Sequence, residues 1–257
     1  MLALISPAKK LDFSPLSRPL AATQPQFEDD IRTLASVARR LKRADLKRLM
    51  DISDKLADLN HDRFQNLELP FTPENAKPAV LAFNGDTYAG LDAKSLKEDD
   101  LIYAQDHLRI LSGLYGLLRP LDLIQAYRLE MGIKLATRRG EDLYDFWGGK
   151  ITKALNEAAQ AGGHKAIINL ASLEYAAAVR PEKLKVPFIT AVFREVKNGE
   201  AKIIGLMAKR ARGMMARYII VNRLGDPEGL KAFAEGGYRF QPELSTSDRW
   251  EFHRPAA

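Results

Sequence analysis

The sequence predicts a mixed α/β fold (α+β), with one compact domain over residues 1–257 in which helices surround a mixed sheet. Two observations support this prediction. Short apolar runs rich in branched residues alternate along the chain with segments whose apolar residues recur every three or four positions. No internal repeat, low-complexity tract or long linker divides the 257 residues, so we expect a single domain.

Three apolar runs are predicted to form central strands of the sheet. The first, 1–5, ends at a Ser-Pro pair, because Pro7 has no amide hydrogen to continue a ladder. The second, 80–83, ends at an Asn-Gly turn signal. The third, 166–170, leads into Ser172, which is a favoured residue type for a helix N-cap.

Helices are predicted in the segments between and after these strands. Apolar side chains recur at steps of three and four from residue 27 to residue 41, which is typical of an amphipathic helix. A second helical stretch is expected over 45–66, and a further helix over 208–224.

Two hairpins are predicted in the last third of the chain. The segments 188–196 and 201–207 flank an Asn-Gly pair, which favours a two-residue turn because both central positions of a type I′ turn need positive φ. Near the end, the alternating apolar residues around Tyr238 and around Trp250 predict a terminal hairpin.

Composition excludes several classes of function. The chain has 39 Lys and Arg against 33 Asp and Glu, a net charge of +6, and no cysteine. Disulfides, thiolate nucleophiles, iron–sulfur clusters and cysteine zinc sites are therefore excluded. The four histidines are scattered without ligand spacing, so no metal and no cofactor is predicted. No apolar run approaches the roughly 20 residues of a membrane span, and we expect a soluble cytoplasmic protein without membrane contacts.

The segment 202–223 carries as much positive charge as the net excess of the whole chain and contains no acidic residue. On a helical wheel, all but the first of its cations fall within an arc of about 160°. Such a face suits an anionic partner, of which phosphate is the natural one. A solvated face, or pairing with acids from elsewhere in the fold, is the alternative. The cations are Lys202, Lys209, Arg210, Arg212, Arg217 and Arg223.

A hydroxyl and two ammonium groups follow the first predicted strand, at Ser6, Lys9 and Lys10. In open α/β sheets, ligands gather beyond the carboxyl ends of strands, so these groups could hold a phosphate or a carboxylate. A strand-ending turn with exposed lysines is the alternative. A second basic cluster, over 39–48, is interpreted as an ordinary solvated helix face because acids lie nearby.

The segment 108–124 predicts an element like a helix-hairpin-helix. A helical pattern reaches Leu111, the glycines at Gly113 and Gly116 bracket a turn, and Pro120 could open a second helix. This module grips a DNA backbone through the amides of its glycine hairpin. The two glycines are separated by two residues instead of the usual one, so a structural helix–turn–helix corner is the alternative.

One carboxylate, Glu130, is a candidate for acid–base chemistry because its neighbours in the sequence are apolar. Pairing with Arg128 is the alternative explanation for this residue. An enzyme acting on nucleic acid or a nucleotide would place Ser6, Lys9 and Glu130 around a pocket. This hypothesis predicts that Lys9 and Glu130 converge within hydrogen-bond reach.

Eight motifs resemble the YaaA peroxide stress resistance family, and they run in family order from the start of the chain to its basic segment. They are Ile-Ser-Pro-Ala-Lys at 5–9, Ile-Ser-Asp-Lys-Leu-Ala at 52–57, Phe-Thr-Pro-Glu-Asn-Ala at 71–76, Ala-Phe-Asn-Gly-Asp-Thr-Tyr at 82–88, Leu-Ser-Gly-Leu-Tyr-Gly-Leu-Leu-Arg-Pro-Leu-Asp at 111–122, Tyr-Arg-Leu-Glu-Met-Gly at 127–132, Ile-Asn-Leu-Ala-Ser at 168–172 and Ala-Lys-Arg-Ala-Arg-Gly-Met-Met at 208–215.

The resemblance implies a cytosolic bacterial protein that helps cells survive hydrogen peroxide and binds double-stranded DNA in a basic cleft, with a helix-hairpin-helix element. It supplies no catalytic residue. We expect a monomer that contacts mainly the DNA backbone, and any link to intracellular iron is expected to be indirect. The candidate contacts matched to family motifs are Ser6, Lys9, Gly113, Gly116, Arg119, Lys209, Arg212 and Arg217. Charge and position add Lys10, Arg210 and Arg223.

Overall fold

Strands and helices alternate along the part of the chain that this computed structural model describes, residues 1–16 and 19–256. The strands are β1 (Leu2–Ile5), β2 (Lys77–Pro78), β3 (Leu108–Ser112), β4 (Gly116–Leu118), β5 (Leu123–Ile124), β6 (Ile167–Leu170), β7 (Phe188–Lys197), β8 (Glu200–Lys202), β9 (Arg239–Phe240) and β10 (Arg249–Pro255). The α-helices are α1 (Glu28–Arg39), α2 (Arg43–Met50), α3 (Asp54–Gln65), α4 (Ala79–Ala82), α5 (Asp86–Leu91), α6 (Glu98–His107), α7 (Leu143–Trp147), α8 (Lys150–Ala161), α9 (Leu173–Ala176) and α10 (Gly205–Val221). Short 3₁₀ turns cover Ala93–Ser95, Pro181–Lys183, Pro227–Ala232, Glu235–Gly237 and Pro242–Leu244.

One eight-stranded mixed sheet organises the molecule, in the order β4-β3-β1-β6-β7-β10-β9 with β8 paired to β7. The strands β3, β1, β6, β7 and β10 run parallel, and β4, β8 and β9 are antiparallel to their neighbours. The chain leaves β1 for β3 on one side, and β6 lies on the other side. The carboxyl ends of β1 and β6 therefore form a topological switch point, where α/β sheets commonly bind ligands.

The predicted fold class is confirmed: the molecule is a single compact mixed α/β domain with a mixed sheet. The predicted strands at 1–5 and 166–170 are β1 and β6, and every residue of both is buried. The hairpin turn at Asn198 and Gly199 has φ of 53° and 79°, as a type I′ turn requires. The terminal hairpin is β9 with β10.

The three helical stretches predicted over 27–41, 45–66 and 208–224 are helical, and two boundaries differ. The stretch 27–41 contains α1, but 45–66 holds two helices, α2 and α3, because the chain turns at Asp51 with φ of 49°. The basic helix begins at Gly205 and not at 208, because β8 is only three residues long.

The strand predicted at 80–83 is wrong. Its residues lie mostly in α4, whose first amides are anchored from outside the helix: the Ala79 N–H donates to the Asp122 carbonyl (2.9 Å) and the Val80 N–H to the Pro120 carbonyl (3.0 Å). All four residues of α4 are buried. A short apolar run that is buried on every side looks the same in sequence whether it is helix or strand.

The helix-hairpin-helix prediction for 108–124 is also wrong. The helix α6 ends at His107, and the glycine segment is an antiparallel β-hairpin of β3 and β4. β3 pairs in parallel with the central strand β1, so that Ile5 lies opposite Ile110. This pairing over more than 100 residues of sequence outweighs the local helical pattern, because it buries the apolar residues on both faces of the sheet.

The two glycines of this hairpin are buried and lie in the interior. A Cβ on Gly113 would lie 2.2 Å from the Leu129 carbonyl oxygen, and one on Gly116, at φ +70°, would lie 2.6 Å from the Trp147 ring. The two glycines let the Leu129 backbone and the Trp147 ring pack against the hairpin, and this packing accounts for Gly113 and Gly116 without any contact to DNA.

Candidate anion-binding cleft

A cleft of about 410 Å³ lies beyond the carboxyl ends of β1 and β6, at the switch point of the sheet. The loop after β1 contributes residues 6–10, and the segment 84–88 contributes the start of α5. Glu130 lines it from the segment after β5, and residues of α9 and α10 complete the wall. The structure thus brings together several residues predicted from different parts of the sequence, namely Ser6, Lys9, Lys10, Glu130, Lys209 and Arg212.

Ser6 fixes the two strand-end loops to each other. Its Oγ accepts a hydrogen bond from the Ser172 N–H (2.9 Å) and lies 3.4 Å from the Ser172 Oγ. The Tyr88 hydroxyl donates to the Ser6 carbonyl (3.1 Å), and burial raises the pKa of that tyrosine well above its ordinary value. Ser6 therefore holds the floor of the cleft in place.

Glu130 is the buried acid of the cleft, with 8% of its surface exposed. Its Oε1 lies 3.1 Å from the Lys9 Nζ and 3.0 Å from the Arg128 Nη2. The predicted convergence of Lys9 and Glu130 and the alternative pairing with Arg128 therefore both occur, on the same oxygen. The other oxygen, Oε2, is buried without a hydrogen-bond partner among the described residues.

The Arg212 side chain lines the cleft and has no partner among the described residues. Its guanidinium makes no hydrogen bond or ion pair with any described residue, and its Nε is buried. Burial lowers the pKa of Arg212, and no neighbouring carboxylate opposes that shift. Lys10 and Lys209 also line the cleft, with exposed side chains that form no ion pair within the described part of the chain.

Close helix packing positions α10 against the cleft. A Cβ on Gly90 of α5 would lie 2.1 Å from the Arg210 carbonyl oxygen, and one on Gly213 of α10 would lie 1.8 Å from the Thr87 carbonyl oxygen. The two backbones therefore touch, and this contact holds Arg212 beside the residues of α5. The isolated glycine inside the basic helix is the signal in the sequence that indicates such an approach.

Two other cations of the basic segment have acidic or carbonyl partners elsewhere in the fold. Arg217 donates to the Leu91 and Asp92 carbonyls at 3.1 and 2.9 Å. Arg223 lies 2.8 Å from an Asp100 carboxylate oxygen and stacks over the Tyr103 ring at 4.7 Å. The alternative of pairing across the fold is therefore the observed one for these two residues.

Three further cations complete this comparison. Lys202 pairs with Glu200 at 2.6 Å, and Arg119 pairs with the buried Asp122 at 3.0 Å. Arg210 is exposed, lies next to Lys209 on α10, and forms no ion pair with a described residue. Of the candidate contacts, Arg119, Arg217 and Arg223 thus hold the fold together, and Arg210 remains a free surface charge.

Several cleft residues carry little signal in the sequence. Asp86 and Glu174 add negative charge to the lining, and Tyr88 and Tyr175 add aromatic surface. The segment containing Asp86 reads only as a turn, and Glu174 reads only as a first-turn acid of a helix. Their common feature, a place just after a strand or at the start of the next helix, becomes informative once strand order is known.

The described residues contain neither a metal cluster nor a membrane span. Within 1–16 and 19–256, no three His, Asp or Glu side chains group as metal ligands. None of the helices over the same residues is both long enough and apolar enough to cross a bilayer.

These features define an α/β protein with a ligand-sized cleft at its switch point, lined by one buried acid and several unpaired cations. The chain belongs to the peroxide stress protein YaaA family, whose model matches residues 1–244. The resemblance seen in the sequence motifs is therefore confirmed.

Close relatives from bacteria match nearly the full chain. A UPF0246 protein of Dinoroseobacter shibae is 54% identical over 255 residues, 99% of this chain and 95% of its own length. One of Magnetococcus marinus is 54% identical over 257 residues and all of both chains. One of Alteromonas mediterranea is 56% identical over 247 residues, 96% of this chain and 95% of its own.

Proposed function

We propose that this peroxide stress protein binds double-stranded DNA, mainly through its phosphate backbone and with little sequence preference. One observation carries the proposal: Lys10, Lys209 and Arg210 are exposed and unpaired among the described residues, whereas Lys202, Arg217 and Arg223 of the basic segment have acidic partners. Uncompensated like charges repel one another, and phosphates that neutralise them release condensed counterions.

In this proposal DNA contacts the rim of the cleft, which consists of the exposed cations Lys10, Lys209 and Arg210. A site of about 410 Å³ is the size of a small-molecule pocket, so a duplex lies across its rim and does not enter it. Lysine and arginine contacts to phosphate position a duplex without reading its bases, which accounts for low sequence preference. The β-hairpin at 113–116 takes no part, because its glycines are buried.

Fluorescence anisotropy with a labelled 20-base-pair duplex tests this proposal. With three phosphates neutralised, affinity should fall about 40-fold between 50 and 200 mM salt. Replacing both Lys209 and Arg210 by alanine should reduce the slope of log affinity against log salt by about two. The matched control is Arg223→Ala, which removes a paired cation of the same segment. The proposal is contradicted if DNA affinity does not depend on salt, or if Arg223→Ala binds DNA as weakly as the double variant.

A second candidate function is an enzyme acting on a nucleotide or nucleic acid. The observation that favours it is the contact of the Lys9 Nζ with the Glu130 Oε1 at 3.1 Å inside a concave site. An ammonium and a carboxylate in contact can exchange a proton with a bound group.

Incubating the protein with 5′-nucleotides and DNA, followed by chromatography of the products, tests this candidate. Turnover should disappear in Lys9→Met and in Glu130→Gln and persist in Arg223→Ala. The absence of any product from the parent protein, or turnover that survives both cleft variants, contradicts it.

A further inference from the structure

Two polar atoms of opposite character are buried in the cleft without a partner among the described residues. They are the Glu130 Oε2, a hydrogen-bond acceptor, and the Arg212 Nε, a donor. A buried polar group without a partner destabilises the fold, and the loss is larger when the group is charged. DNA phosphates bound to the exposed lysines of the rim leave both atoms without a partner, so backbone binding does not explain them.

The Glu130 side chain defines one half of the ligand. Its Oε1 is already shared by Lys9 and Arg128, and its Oε2 is the free acceptor. The group that satisfies Oε2 must therefore donate an N–H or an O–H. Inorganic phosphate retains an O–H at neutral pH, so it is the ligand with which a nucleotide must be compared.

The Arg212 side chain defines the other half. A partly buried guanidinium without a carboxylate partner favours an anionic ligand, and its planar set of donors matches a phosphate or a carboxylate. Lys10 and Lys209 line the same cleft and add positive charge. The ligand therefore carries an anionic group together with a separate donor.

A single nucleotide has this combination. It carries a phosphate, and every nucleobase presents an N–H donor on one of its edges. The cleft volume of about 410 Å³ falls within the range for small-molecule sites. Tyr88 and Tyr175 add aromatic lining, a feature of sites that hold unstacked bases.

We propose that the cleft binds one unstacked nucleotide, with its phosphate on Arg212 and a donor of its base or sugar on the Glu130 Oε2. The nucleotide has two sources, a DNA strand from whose stack it is extruded and the pool of free mononucleotides. The first source rests on the proposed DNA binding, and the second does not. In both cases the cleft recognises the same two groups, a phosphate and a hydrogen-bond donor of the base or sugar.

Calorimetric titration with dAMP, dGMP, dCMP, dTMP and inorganic phosphate tests the free source. At least one mononucleotide should bind more than tenfold tighter than phosphate. Glu130→Gln places an amide N–H₂ among the carboxylate's contacts and should weaken the mononucleotide at least tenfold, while phosphate should bind at least as tightly as to the parent because a negative charge is removed from the cleft. Arg212→Met should abolish both. Phosphate that binds as tightly as every mononucleotide, or a Glu130→Gln variant equal to the parent, overturns the assignment of a nucleotide.

A duplex with 2-aminopurine at a central mismatch tests the DNA source, because this base becomes more fluorescent when it leaves the stack. Saturating parent protein should raise the fluorescence several-fold, and Arg212→Met should not. The matched control is Arg223→Ala, which removes the same charge from the same basic segment but outside the cleft lining, where the arginine is paired with Asp100. At saturation this variant should give the parent's fluorescence increase.

The two arms separate this inference from DNA binding itself. Salt-dependent duplex binding with neither a fluorescence increase nor mononucleotide binding overturns the nucleotide site and leaves the DNA proposal standing. Mononucleotide binding without duplex binding supports the site, identifies free nucleotides as its source and contradicts the DNA proposal. Neither variant should unfold the chain, because Arg212 holds no described residue and glutamine keeps an oxygen for Lys9 and Arg128; thermal melts verify this.

Discussion

The first half of α10 and its second half, taken with the turn that follows, both carry positive charge but use it differently. In the first half, Arg212 lies in the cleft without an acidic partner, and Lys209 and Arg210 are exposed. Beyond the middle of the helix, Arg217 donates to the end of α5, and Arg223 pairs with Asp100 of α6. One part offers its charge to a ligand, and the other uses it to hold helices together.

The difference is caused by the elements packed against each half, since the basic segment itself contains no acid. Asp92 and Asp100 lie beside the second half. In the cleft, the buried acid Glu130 is already paired with Lys9 and Arg128. A run of cations is therefore informative about a partner only after the acids of neighbouring elements have been accounted for.

The largest expected effect is at the glycine between the two halves. Gly213→Ala places a methyl group 1.8 Å from the Thr87 carbonyl oxygen, and backbone on both sides must move apart. We expect a loss of about 3 kcal/mol or more in the free energy of unfolding, measured by urea denaturation.

Gly205→Ala, at the start of the same helix, is the matched control because no atom lies within 4 Å of its added Cβ. We expect it to be neutral or slightly stabilising. If the two variants unfold at the same urea concentration, the close contact of α5 with α10 does not position the cleft.

The second largest effect is expected in the second half of α10, where Arg217 contacts the end of α5. Arg217→Ala removes the donors to two carbonyls, Leu91 and Asp92, and should destabilise the protein by about 2 kcal/mol. Its affinity for duplex DNA at fixed salt should stay within twofold of the parent, because these donors are already engaged. A stable variant that loses DNA affinity would instead place Arg217 with the residues that contact a ligand.

In the first half of α10, which lines the cleft, loss of an arginine should stabilise the protein instead of destabilising it. Arg212→Met keeps a long side chain but removes a desolvated charge that has no partner among the described residues, and should stabilise the ligand-free protein by about 1 kcal/mol. For a chain of this size, that is a rise of about 2–4 °C in melting temperature by calorimetry. Arg212→Lys, which keeps the charge, should gain less. A fall in melting temperature with Arg212→Met means that this arginine stabilises the fold.

The strands could be predicted from sequence where a local pattern marks them: an uninterrupted apolar run marks β1 and β6, and an Asn-Gly turn marks the end of β7. β1 and β6 are short, uninterrupted apolar runs, and their burial on both faces is what such a run indicates. β3 was not predicted, because its register is set by pairing with β1, and a helical pattern in the local sequence competes with that distant contact. The prediction of a strand at α4 was wrong for a different reason. A helix that is buried on all sides has no polar face to reveal its period of 3.6 residues.

Only part of the cleft can be predicted from sequence, and there is a physical reason why the other part cannot. Ser6 and Lys9 were identified because they follow a central strand, and that location depends only on local sequence. Arg212 was identified by charge, but so was Arg223, and only its contact with Asp100, more than 100 residues earlier, distinguishes the two. Ion pairs between distant segments depend on packing and are invisible to a helical wheel.

The smallest stability effect, and the sharpest test of the comparison, is expected at exposed Arg210. Arg210→Ala should change the free energy of unfolding by less than about 0.5 kcal/mol, because the side chain has no partner among the described residues. It should nevertheless lower the salt slope of DNA binding by about one. Arg223→Ala should do the opposite, losing about 1 kcal/mol of stability with the slope unchanged, since its charge is already used by Asp100 and Tyr103. If both variants lower the slope equally, net charge alone governs DNA binding, and the distinction between paired and unpaired cations carries no functional meaning.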